Sequence, residues 1–118
     1  MGLTTMATTD KLTELDDSAL AGLVRRLVEI YHPLRLYLFG SRARGDWGPD
    51  SDYDLLIVLP GGEQGTEEQQ RRAFSAEWET EVWSDVIVMS DDEFHFRLGA
   101  RASLPSTAVR EGRVLYAA

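Results

Sequence analysis

Two aspartates one residue apart, Asp52 and Asp54, stand at the entrance to an aliphatic run, Leu55 to Leu59. A third carboxylate, Asp85, enters another apolar run, Val86 to Met89. Side chains alternate along a strand, so Asp52 and Asp54 point to one face. If the two runs are neighbouring strands, three carboxylates converge. Two unit charges about 4 Å apart repel by about 4 kcal/mol at an effective dielectric of about 20. Such a trio takes up protons or holds a divalent cation. Hard oxygen ligands at a strand end suit Mg²⁺ or Mn²⁺, which keep positions open for water and phosphate oxygens.

Upstream lies a second cluster, Gly40-Ser41 with Arg42 and Arg44. Glycine lets a backbone approach a phosphate closely. The Ser41 hydroxyl and nearby N–H groups can grip it, and the two arginines can pair with its oxygens. Taken singly, each of these residues also fits an ordinary turn. Other motifs fail at residues their chemistry requires. Gly40 and Gly45 have P-loop spacing, but Asp46-Trp47 stands where Lys-Ser/Thr is needed. Asp50, Asp52 and Asp54 mimic the start of an EF-hand loop, yet Leu55 replaces its turn glycine and Gly61 its closing glutamate. Ser41 is not in a G-x-S-x-G elbow.

The elements that must position these groups follow from periodicity. Leu20, Leu23, Val24, Leu27 and Tyr31 have helical spacing, ended by Pro33. Leu34 to Phe39 alternates and reads as a strand, and Gly40 to Ser51 as loop or short turn. Tyr53 to Leu59 reads as a strand covered on both faces. Thr66 with Gln69 forms a capping box for a helix over about 66–81, whose apolar stripe is Phe74, Trp78 and Val82, with Ala73 alongside. Glu77, Glu79 and Glu81 read as its solvated face and end. Val86 to Met89 is a third strand. Ser90 or Asp91 caps a short helix with Phe94 in the core and His95 at the surface. A further helix runs from near Pro105 to Gly112, and Arg113 to Tyr116 closes as an edge strand. The expected fold is α/β (α+β), a small mixed sheet with helices packed on it.

Bulk properties narrow the function. The 118 residues suit one domain, expected over 13–118 behind a disordered tail over 1–12. The chain has no cysteine, which excludes thiolate metal sites and fits a reducing cytoplasm. Its net charge of −8 argues against gripping duplex nucleic acid unaided. No signal-peptide pattern and no membrane-length apolar run is present.

Together, Gly40-Ser41, ten intervening residues and Asp52-x-Asp54 resemble the G-S-x(10)-D-x-D signature of the DNA polymerase beta-like nucleotidyltransferases. "LFGSRARG" followed by "SDYDLLIVL" is similar to the minimal nucleotidyltransferases of prokaryotes, as is the ending "REGRVLYAA". The resemblance implies a palm-like core in which two Mg²⁺ ions hold a nucleoside triphosphate such as ATP. Asp52 and Asp54 would then be metal ligands, and Gly40 and Ser41 would hold the phosphates. Asp85 best matches the third carboxylate, as base, metal ligand or both, ahead of the loop residues Asp46 and Asp50. The minimal members are often paired with a helical, RNase-like HEPN-type partner as toxin and antitoxin, and some adenylylate a tyrosine on it. This implies AMP transfer to a partner protein; the alternative is an inactive nucleotide-binding module that neutralises a partner by contact.

Overall fold

The computed structural model describes residues 18–45, 52–61 and 67–118. Helix α1, Ser18–Tyr31, buries the five predicted positions Leu20, Leu23, Val24, Leu27 and Tyr31. Strand β1, Arg35–Phe39, leads into a one-turn helix α2, Ser41–Arg44. Strand β2, Tyr53–Leu59, is followed by α3, Glu67–Thr80, and β3, Ser84–Ser90. Helix α4 spans Asp91–Leu98, α5 spans Leu104–Glu111, and β4 spans Arg113–Ala117. The strands form one sheet in the order β3-β2-β1-β4. Strand β1 pairs antiparallel with both β2 and β4, and β2 pairs parallel with β3. The expected mixed sheet with packed helices is therefore the observed fold.

The sheet divides the core in two. Leu36, Leu38, Leu55, Ile57 and Val88 face α1 and α3, in a cluster that includes Leu23, Leu27, Ala73 and Ala76. Tyr37, Leu56, Val58 and Met89 face the other way, against Phe94 of α4 and Ala108 of α5. Strand β2 is thus central and apolar on both sides, because each face has a helical layer to exclude water from it. Ser90 caps α4 by accepting from the Glu93 N–H at 3.0 Å. Among the described residues no helix is long and apolar enough to cross a membrane.

Three expectations are corrected. Part of the segment read as loop or short turn after Gly40 is a one-turn helix, α2. A single turn has no periodicity to reveal it. Phe74 and Trp78 do not form the buried stripe of α3; they are 58% and 68% exposed. The buried face is Ala73, Ala76 and Glu77, and small side chains there bring α3 close to α1. Arg26 of α1 clamps the approach with two bonds to Glu79, at 3.1 and 3.2 Å. Nor is Glu77 solvated: it accepts from the Ser84 N–H and hydroxyl at 2.8 and 2.9 Å. The proposed cap Thr66, and Asp46, Trp47, Asp50 and the tail over 1–12, lie outside the described residues.

Candidate active site

The β1–β2 and β2–β3 pairings bring the separate motifs to one end of the sheet. Phe39 is registered with Asp54, so Gly40 leaves β1 directly beside that carboxylate. Asp54 is in turn registered with Asp85 across the parallel pair. Alternation puts Asp54 on the face of Leu56 and Val58, and Asp85 on that of Ile87 and Met89, which is the same face. Asp52 lies just ahead of β2 and is exposed. Asp85 falls inside β3 rather than before it, because the strand begins at Ser84.

Gly40 has a positive φ of 75°. A Cβ built on it would lie 2.1 Å from Asp54 Oδ2. Any side chain here would therefore displace the carboxylate. The need for glycine was legible in sequence as close approach to a phosphate; the structure adds that the backbone approaches Asp54 itself.

The Asp54 carboxyl is pushed above the ordinary aspartate range. Partial burial is the largest cause, followed by the charges of Asp85 and Asp52, with Arg44 opposing. Arg44 also reaches Glu111, at the end of α5, at 3.8 Å. Arg42 instead lies over the Tyr53 ring, 4.4 Å from its centroid. The two arginines grouped by sequence thus have different surroundings.

Among the described residues no three acidic or imidazole groups are gathered closely enough to hold a metal ion unaided. The donor set nevertheless fits Mg²⁺. It is all carboxylate oxygen, it is electrostatically unsatisfied at Asp54, and Mg²⁺ binds through one or two carboxylates completed by water and phosphate.

Two side chains that hold the outer edge of β3, the strand carrying Asp85, carried no motif in the sequence. Gln70 of α3 bonds both backbone groups of Val88, donating to the carbonyl at 2.9 Å and accepting from the N–H at 3.2 Å. Glu77 accepts from the backbone N–H and the hydroxyl of Ser84. Both cover the outer edge of β3, and only the tertiary packing of α3 on that edge assigns them.

Residues 20–115 match the family model described as "Nucleotidyltransferase domain". Among curated proteins none matches. Among solved structures, the chain resembles a toxin–antitoxin with AMP-PNP at 19% identity, with a TM-score of 0.54 over 88% of this chain and 75% of that one. It resembles a mutant of the toxin–antitoxin MntA-HpeT at 16% identity, with a TM-score of 0.52 and the same coverage of 88% and 75%. A candidate nucleotidyltransferase from Sulfolobus solfataricus aligns at 23% identity and a TM-score of 0.48, covering 86% of this chain and 89% of that one.

Proposed function

The chain belongs to the nucleotidyltransferase domain family, and from that premise we propose that it transfers a nucleoside monophosphate, AMP from ATP, to a hydroxyl of a partner protein. In this reading it is the antitoxin of a toxin–antitoxin pair, with a HEPN-type toxin as partner. The observation that carries the reading is the meeting of Gly40 with Asp54 and of Asp54 with Asp85 at one sheet end. A glycine turn for phosphate and an undercompensated pair of carboxylates are then adjacent. The two toxin–antitoxin structures add support through the fold they share with this chain.

When bound, Mg²⁺ would supply the positive charge that joins these carboxylates to a triphosphate, and would acidify an acceptor hydroxyl. Asp52 and Asp54 would hold it. Gly40 and Ser41 would seat the β- and γ-phosphates, with Arg44 beside them. Asp85 lies across Asp54 from Gly40 and would accept the proton, whether or not it also helps to hold the metal. The acceptor oxygen forms its bond to the α-phosphorus as the bond from that phosphorus to the bridging oxygen breaks. Pyrophosphate leaves and the hydroxyl proton passes to Asp85. No covalent enzyme intermediate is needed, so positioning and charge compensation supply the rate.

The test is to incubate the chain with ATP, Mg²⁺ and the protein encoded beside it, then weigh that protein by mass spectrometry. A nucleotide-sized gain that disappears in Asp52→Ala is the expected result. Toxin control that survives in Asp52→Ala without any mass change would replace this reading with a contact-only antitoxin.

A further inference from the structure

Strand β3 is an edge of the sheet, and α3 covers that edge unevenly. Gln70 occupies the outward N–H and C=O of Val88, and Glu77 the outward N–H of Ser84. Backbone groups alternate in direction along a strand. The N–H and C=O of Val86, midway between, therefore also point outward. No described residue bonds them there. Beside this rung lies a cleft of about 460 Å³ whose lining includes Gln70, Arg71, Phe74, Glu77, Asp85 and Val86. One wall is the exposed Phe74 ring, stacked outside the cleft on Trp78 with centroids 6.4 Å apart.

We infer that this open rung is the acceptor subsite: an extended segment of the partner protein adds to the β3 edge at Val86. The inference rests on the transferase reading above and names how its acceptor is held. One donor and one acceptor on a strand edge match the two backbone groups of a single peptide residue. Strand alternation then fixes what each neighbour does. The residue paired with Val86 turns its side chain toward the α3 side, against Phe74. The next residue along turns to the opposite face, where Asp85 stands. A hydroxyl on that residue arrives at the carboxylate proposed to take its proton. The cleft lies on the far side of Asp54 from Gly40, as entry opposite the departing phosphates requires. The cleft lining carries Arg71 as well as Glu77 and Asp85, so it has no basic surface for a phosphate backbone, and the net charge of −8 disfavours a nucleic-acid segment.

Val86→Pro removes the outward N–H without touching the bonds β3 makes to β2, since proline is tolerated on an outward-facing edge. With ATP, Mg²⁺ and the protein encoded beside the chain, the KM for that protein should rise about fivefold, the worth of roughly the one hydrogen bond that the lost N–H made. The KM for ATP should stay within twofold. Phe74→Ala, at an exposed position, should raise the acceptor KM several-fold and serves if the proline variant does not fold. Hydrogen exchange at the Val86 amide should slow when the partner protein is added, whether or not ATP is present. An unchanged acceptor KM in both variants would overturn the subsite and leave the transferase reading standing. So would a rise in the ATP KM instead, or a concentration-dependent dimer that Val86→Pro makes monomeric. Absence of any transfer by the unaltered chain would fell the transferase reading, and the subsite with it.

Discussion

Two carboxylates near the start of β3 have opposite fates. Glu77 is buried, at 8% exposure, and receives both the N–H and the hydroxyl of Ser84. Asp54 is half-buried beside Asp85 and Asp52, and no described residue donates a hydrogen bond to its carboxylate. Burying an ion without donors is costly. A carboxylate that serves the fold comes with its donors, as Glu77 does. One kept for a ligand waits for charge from outside, and its neighbours make the wait unfavourable. On the proposed reading, the difference separates the structural acid from the reactive one without reference to any motif.

The strongest way to break this comparison is Gly40→Ala. The new Cβ would meet Asp54 Oδ2 at 2.1 Å, at a φ of 75°, so the carboxylate must swing aside. A misplacement of about 1 Å can cost about 100-fold in rate. Nucleotidyl transfer should fall by at least about that factor, with about 1–2 kcal/mol of stability lost to the left-handed backbone. Transfer kept within threefold would show that the position of Asp54 is not what the reaction uses. Glu77→Ala should do the converse. It strands two polar groups of Ser84 and should cost about 2 kcal/mol in urea unfolding, while ATP affinity per folded molecule is retained. Glu77→Gln, which keeps one acceptor oxygen, should recover part of that loss.

The sequence made one of these two carboxylates conspicuous and the other misleading. Asp54 was legible because an acid at the mouth of an apolar strand contradicts strand preference, and the strands themselves were legible from alternation and aliphatic runs. Asp85 needed the β2–β3 register, which no local signal contains, to become its neighbour. Glu77 read as solvated because charge on a helix usually is; its burial depends on which side of α3 meets α1. Periodicity places Phe74 and Trp78 on one stripe with Ala73 alongside, but cannot say that Ala73 and Ala76 form the inner face and the aromatics the outer one. Gly40-Ser41 and Asp52-x-Asp54 were visible together because their separation in sequence spans a single β1–β2 connection.

The smallest expected effect tests the sign of the comparison. Asp54→Asn keeps the shape and removes the charge. The folded chain holds the Asp54 proton more tightly than the unfolded chain, because burial and the charges of Asp85 and Asp52 disfavour the anion. Stability from this group is therefore full below the unfolded value, about 3.9, and declines as pH rises through the folded one. Asparagine does not titrate. The variant should melt above the unaltered chain at pH 7, and the advantage should vanish as pH falls below about 4. Solvent screening at this half-exposed site keeps the gain under about 1 kcal/mol. Millimolar Mg²⁺ should raise the melting temperature of the unaltered chain and leave Asp54→Asn where it is. A variant less stable than the parent at pH 7 would mean that Asp54, like Glu77, has donors and serves the fold, and the distinction between the two acids would collapse.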